Sequence, residues 1–505
     1  MSGISGRLIK GSIWLSFSRA IVNGLATLST FILAWNLTPS DFGVVALGMT
    51  ILLIVSTVTE LSLAEALIRH EAPKDSHFSA AFTLNATRGL LLALFFAGFA
   101  WPAARLFDEP RLTGVMLALG LSVFMSGLTN PRRIMLQRDL IFWQEFVLAV
   151  SQKLTGFIAA VTIAIIYHSY WALVIGTLVT QATNVVVSYL VLPFWPRITF
   201  RHMREFFSFS AWLTAGQIVN TLNWRFDYLL VGKMLGGTSL GYYSVGSNLA
   251  MMPTREATLP LTQTIYPGFA NIQHDPPRLA AAYQRVQALV AAVALPAGIG
   301  VAVVVDPLVR LTLGEKWAPI IFIIQALASV FALQTLGSLV QPLGMAKGET
   351  RLLFIRDTQM FAVRVPIMVA GLLFAGLPGV VLGRVFTGLF SALVNMILVR
   401  RLIGVTVLAQ LRANSRALVS AGVMAAGVSF ASHHLAYAAD KPALALQLAT
   451  IVALGGFLYC ATTFLLWELM RRPDGPETEI RNILGKMLAR LRPVGSAPAA
   501  KQTEK

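Results

Sequence analysis

Apolar runs long enough to cross a hydrocarbon core, roughly 17–25 residues apiece, recur from residue 12 to residue 467 with only short polar connectors between them. In lipid every backbone amide must be satisfied within the protein, so each run is expected to cross as an α-helix. Length and flanking charge predict an all-α integral membrane fold with about fourteen transmembrane helices. Composition agrees: of 505 residues, 56% are hydrophobic and 12% charged, about half the charged share of a soluble chain. No polar block is long enough for a separate soluble domain. The first apolar stretch follows Arg7 and Lys10, exceeds a signal-peptide core and lacks a small-x-small cleavage site, so it reads as a retained span.

The formal charge of +17 would suggest nucleic acid in a soluble protein. That partner is rejected because the basic residues sit in the connectors rather than on one soluble face. With the N-terminus in the cytoplasm, 27 Lys and Arg fall on that side, 6 on the other and 7 within spans. The alternation runs connector by connector, as the positive-inside rule and attraction to anionic membrane lipids require. Both termini are expected in the cytoplasm. Cys460 is the only cysteine, which leaves no intrachain disulfide and no CxxC metal site.

Two short echoes suggest an internal repeat. Ser40 through Ala46 opens the second span much as Ser239 through Ser244 opens the eighth, and Leu173 through Gly176 matches Val380 through Gly383. Both pairs relate spans six apart, which fits two parallel six-helix halves around a central cavity. The expected organisation is a first half over 1–200, a second over 205–402, two further transmembrane helices over 410–468, and a cytoplasmic tail over 469–505. In the tail, Ile480, Ile483, Leu484, Met487, Leu488 and Leu491 follow helical spacing among basic residues, the pattern of an amphipathic helix on the anionic leaflet.

Ionisable residues inside spans carry most of the functional information, because a charge at the bilayer centre costs about 2.5–3.5 kcal/mol. The bases are Arg19, Arg88, Lys153, Arg225, Arg255, Arg364 and Arg384; the acids are Glu60, Glu65, Asp227, Glu256 and Asp306. Such groups are expected to pair or to line a water-filled cavity. Arg88 and Arg364 lie deepest. Arg384 lies near a predicted outer end and is read as free to snorkel. Glu65 and Asp306 are read as interfacial. Arg255 and Glu256 are adjacent, and Arg225 and Asp227 point apart on a helix, so neither pair is expected to share a face. Net positive charge suits an anionic cargo such as a lipid pyrophosphate, which guanidinium groups bind bidentately. The substrate-binding candidates are therefore Arg19, Arg88, Lys153, Arg225, Arg255 and Arg364, with Asn23, Gln217 and Asn220 for sugar hydroxyls. Asp227, Glu60 and Glu256 are the ion-coupling candidates. Pro253, Pro260 and Pro267, seven residues apart in the eighth span, mark either a bending element or a static kink.

No GxxxxGK[ST] or HExxH occurs, and the histidines are scattered, so no nucleotide, metal or other cofactor is expected and a transporter is favoured over an enzyme.

The opening Arg-Leu-Ile-Lys-Gly-Ser-Ile-Trp, Leu37-Thr38-Pro39-Ser40-Asp41-Phe42-Gly43, the stretch PRRIMLQRDLIF from Pro131 to Phe142, and Arg225-Phe226-Asp227-Tyr228 followed by Gly232 through Gly236 resemble the polysaccharide flippases (Wzx-type) of the MOP superfamily. Leu240-Gly241-Tyr242-Tyr243, Pro253 and Tyr266-Pro267-Gly268-Phe269-Ala270 are similar to the subgroup serving colanic acid and succinoglycan export. The resemblance covers nearly the whole chain. It implies a bacterial inner-membrane protein that moves undecaprenyl-pyrophosphate-linked oligosaccharide units by alternating access, for exopolysaccharide or lipopolysaccharide biosynthesis. Polymerase and export proteins are the partners it implies. It carries over no catalytic residue. The competing readings are a multidrug or small-metabolite exporter of the same superfamily, the lipid II flippase branch, and a membrane glycosyltransferase.

Overall fold

A computed structural model describes residues 2–60, 67, 73–138, 142–200, 211–262, 265–434, 440–472, 475–478 and 481. The amphipathic helix expected in the tail, apart from Arg481, and the interfacial position expected for Glu65 lie outside the described residues. The described residues form helices joined by short connectors: α1 (Ser2–Asn36), α2 (Pro39–Val58), α3 (Asp75–Leu106), α4 (Arg111–Gly127), α5 (Arg133–Arg138), α6 (Phe142–Tyr167), α7 (Trp171–Val191), α8 (Ala211–Thr262), α9 (Ile265–Asn271), α10 (Pro276–Thr312), α11 (Ile320–Gln334), α12 (Val340–Ala346), α13 (Thr350–Ile403), α14 (Val407–His434) and α15 (Lys441–Leu469).

Two of these helices are hairpins. In α8, Gly236 takes φ 76° and ψ 179°, a region only glycine occupies readily. The hydroxyl of Tyr243 donates to Asp227 at 2.5 Å, whereas sixteen residues of straight helix would separate them by about 24 Å. The chain therefore reverses at Gly236 and the start of the second arm, 237–249, folds back along the first, 211–235. In α13 the break is at Ala375 and Gly376, the latter at φ 59°. Arg364 and Arg384, about 30 Å apart on a straight helix, both donate to the Asn223 carbonyl. Counting each arm once and α11 with α12 as one span, fourteen membrane-length helical segments are present among the described residues. Helix α8 runs through Pro253 and Pro260 to Thr262, and Pro267 falls in α9.

The chain separates into two compact units. The first comprises 1–249, 305–327 and 349–387; the second comprises 250–304, 328–348 and 388–505. In the first, Leu33, Leu37, Ala160, Ala164 and Ala172 pack α1 against α6 and the start of α7, while Val44, Val45, Val115, Leu119 and Val174 join α2, α4 and α7. The Thr38-Pro39-Ser40-Asp41 motif starts α2 with a capping box: Thr38 N donates to Asp41 at 2.9 Å and Asp41 N to the Thr38 hydroxyl at 3.3 Å. Arg111 stands 3.3 Å from Asp41 and also bonds Glu109, and that hydrogen bond holds the Glu109 carboxyl below the usual carboxylate range. Gly43 packs on the Gly237 carbonyl and Gly241 on the Pro39 carbonyl so closely that a Cβ at either would stand within 2 Å of the oxygen. The two echoing segments thus abut. Arg133 pairs with Glu145 at 2.6 Å and bonds Asn184 at 3.2 Å, anchoring the PRRIMLQR stretch to α6 and α7.

The connector after α10 is tied to the end of α1. Trp317, fully buried, donates its indole N–H to the Ala34 carbonyl at 2.9 Å, and Lys316 donates to the Trp35 and Leu37 carbonyls at 2.8 and 3.0 Å. These carbonyls are orphans of the helix C-terminus, where a cation is favoured. In the second unit, Ala291, Leu295, Ala332, Leu336, Met396, Ala417 and Ala421 form the core. A 3-10 turn at Thr335–Gly337 separates α11 from α12, and Gln287 donates to its Leu336 carbonyl at 2.5 Å and to Gln410 at 3.2 Å.

Candidate functional site

The first unit holds a cluster of charge between the first arm of α8 and both arms of α13. Asn223 and Asp227 stand one helical turn apart on α8 and point to the same side. Asp227, 2% exposed, accepts from Tyr243 and has Arg384 Nε at 3.9 Å from its Oδ2. Arg384, also 2% exposed, donates to the Asn223 carbonyl at 3.2 Å, and Arg364, 6% exposed, donates to the same oxygen. The Asn223 amide donates in turn to the Asp357 carbonyl at 2.8 Å, and the Asp357 carboxylate pairs with Arg356 at 2.6 Å. On the outer side of Arg384, the Trp224 ring lies 4.7 Å from its guanidinium, a cation–π contact.

Three guanidinium groups, of Arg356, Arg364 and Arg384, thus stand against two carboxylates, of Asp227 and Asp357, all buried. Arg364 Nε and Asn223 Oδ1 have no hydrogen-bond partner among the described residues. Such a cluster is stable only because most of its polar atoms bond one another. Its chemical character is net cationic, with donor capacity left over, which is what recognition of a phosphate or another anion needs.

The remaining residues singled out by sequence are distributed more widely. Arg88 is half-buried on α3, where it donates to the Ser56 carbonyl at 2.8 Å and the Thr59 hydroxyl at 3.2 Å, closing the last turn of α2. Arg19 and Asn23 are half-buried on α1, and the Asn23 carbonyl accepts from Thr27. Lys153 is half-buried on α6. Arg225 lies over the Tyr228 ring at 5.2 Å, away from the Asp227 carboxylate. Gln217, Asn220 and Glu60 are exposed, and so is Arg255, which pairs with the half-buried Glu256 at 3.1 Å.

Two sequence expectations are corrected. Arg255 and Glu256 do meet, because long side chains from adjacent positions can bend toward each other even though their Cβ atoms diverge. Arg384 does not snorkel: the α13 hairpin places it opposite Asp227, so its charge is met inside the protein. Sequence reasoning also missed Arg356, Asp357 and Tyr243 as members of the cluster. The signal for Arg384 was present, since an acid within the seventh span demands a cation from some other span.

Residues 32–322 match the family described as polysaccharide biosynthesis protein. The chain is 24% identical over 397 residues to lipopolysaccharide biosynthesis protein WzxC of Escherichia coli (strain K12), covering 77% of this chain and 80% of that one. It is 23% identical over 499 residues to succinoglycan biosynthesis transport protein ExoT of Rhizobium meliloti (strain 1021), covering 96% of each. Among solved structures, the lipid II flippase MurJ in an inward closed conformation is similar with a TM-score of 0.72 at 16% identity, over 92% of this chain and 100% of that one. At that identity the likeness is one of fold.

Proposed function

The chain belongs to the polysaccharide biosynthesis protein family, and from that premise we propose that it flips undecaprenyl-pyrophosphate-linked oligosaccharide units from the cytoplasmic to the periplasmic leaflet of a bacterial inner membrane. The observation that carries this reading is the buried, net-cationic cluster of Arg356, Arg364 and Arg384 with Asp227 and Asp357 inside a transporter fold. A diphosphate linkage is the most highly charged part of such a cargo, and guanidinium forks are the side chains best shaped to receive it as it leaves water. Arg88, Arg19 and Lys153 supply further half-buried positive charge in the same unit. Alternating access moves the bound headgroup while the polyprenyl chain stays in lipid.

Of the three ion-coupling candidates, Asp227 is the one whose charge is fully enclosed and partnered by a cation. Protonating it would remove the counter-charge of Arg384 and loosen the α8–α13 contact, which is how a proton gradient could drive the cycle. Polymerase and export proteins would take up the product on the far side.

The test is deletion of the gene, followed by assays of surface polymer and of lipid-linked units in membranes. Loss of polymer with accumulation of cytoplasm-facing lipid-linked oligosaccharide supports the proposal. Drug sensitivity with normal polymer would point instead to an exporter, and loss of viability to the lipid II branch. Complementation with Arg364→Ala at normal protein level should restore little polymer; full restoration would remove the cluster from the transport path.

A further inference from the structure

Gln217, Asn220, Trp224 and Asp227 follow i, i+3, i+7 and i+10 along the first arm of α8, so they share one face within an arc of about 80°. Gln217, Asn220 and Trp224 are exposed, Trp224 at 38%, whereas Asp227 at the end of the stripe is 2% exposed. Were this face turned to lipid, two carboxamides would sit in hydrocarbon with no water to bond them, an arrangement membrane proteins avoid. The stripe therefore faces a water-accessible space that closes toward Asp227.

Trp224 is the residue that gives this face a ligand. It is not part of an interfacial aromatic belt, because about 20 Å of helix precedes it in the arm and about 18 Å separates it from Gly236, whereas belt residues sit at the ends of spans. Its ring is held against the guanidinium of Arg384, itself fixed by the Asn223 carbonyl. A rigid indole offers a broad apolar surface at little entropic cost. One turn and two turns away, Asn220 and Gln217 present amides that each both donate and accept. A pyranose ring has the matching chemistry, with an apolar C–H face and a rim of hydroxyls that donate and accept.

We propose that Trp224, with Asn220 and Gln217, is a carbohydrate subsite that receives a sugar ring of the cargo. This rests on the flippase reading above and adds which part of the cargo this face recognises. The order along the helix, hydroxyl-binding amides, then indole, then the cationic cluster, matches a sugar followed by its diphosphate.

The experiment compares two probes binding to the full-length protein in nanodiscs: the polyprenyl-diphosphate oligosaccharide fraction extracted from cells lacking this gene, and undecaprenyl phosphate, which carries no sugar. Trp224→Ala should weaken binding of the sugar-bearing probe by about tenfold more than binding of the sugar-free probe, the scale of one aromatic contact. Trp224→Phe, which keeps an aromatic face, should stay within about threefold of the wild type, and Gln217→Ala with Asn220→Ala should weaken only the sugar-bearing probe. Equal loss for both probes, or no loss for Trp224→Ala in protein that elutes as the wild type does, overturns the subsite while leaving the flippase reading intact. A wild-type protein that binds the sugar-bearing fraction no better than undecaprenyl phosphate overturns both.

Discussion

Asp227 holds a carboxylate deep in the protein, and the groups that make this tolerable are Tyr243 from the returning arm of α8 and Arg384 from the second arm of α13. Removing one member strands the other. Asp227→Ala should lower stability by about 3–5 kcal/mol, the usual cost of leaving a buried charge uncompensated, read as a depressed thermal midpoint of the detergent-purified protein. Asp227→Asn keeps an acceptor for Tyr243 and should cost less. The double change Asp227→Asn with Arg384→Gln should recover part of the loss, since it removes both charges together. An unchanged melting curve for Asp227→Ala would mean that Arg384 finds its counter-charge elsewhere. At the same scale Arg88 has a defined structural duty, closing α2 through the Ser56 carbonyl. Its substitution therefore tests the end of α2 as well as transport.

Among the elements, glycines decide where helices turn and where they touch. Gly236 has open space where a Cβ would go, so its substitution strains only the backbone; Gly236→Ala should cost about 1–3 kcal/mol. Gly43 and Gly241 instead face carbonyl oxygens across the α2–α8 contact. Alanine there must push two helices apart, and folded yield should fall further than for Gly236→Ala, as size-exclusion profiles would reveal. The connector after α10 makes a third case. Trp317 fills a buried socket beside Phe42 and Tyr242 and bonds the end of α1. Trp317→Ala should cost about 3–5 kcal/mol, and Trp317→Phe only about 1 kcal/mol for the lost indole bond. Similar melting points for these two variants would argue that the socket collapses around the missing ring.

For the whole molecule, fourteen membrane-length segments together with the 27-to-6 division of basic connector charge predict that both termini lie in the cytoplasm. A periplasm-dependent alkaline phosphatase reporter fused after Asp108 should be active, while a fluorescent protein fused to the C-terminus should glow, as it does only when folded in the cytoplasm. The opposite pair of results would invert the molecule and with it the direction assigned to the cargo.

Sequence alone established the class of protein, because the demand that every peptide group in lipid be bonded is read directly from the length of each apolar run. The number of spans followed from the same rule, and the likeness to polysaccharide flippases rested on motifs whose positions the fold explains: Thr38 through Asp41 caps α2, and Arg133 pins a connector to α6 and α7. Depth along a span could also be read, which is why Arg364 was singled out. Which charges meet could not be. Arg384, Asp227, Tyr243 and Arg364 come from four separate spans, and their encounter depends on two hairpin reversals and on how the resulting arms are rotated about their axes. Spacing within one helix fixes the relative direction of its own side chains, but rotation against a neighbour is set by packing between distant segments, and that information exists only once the chain has folded.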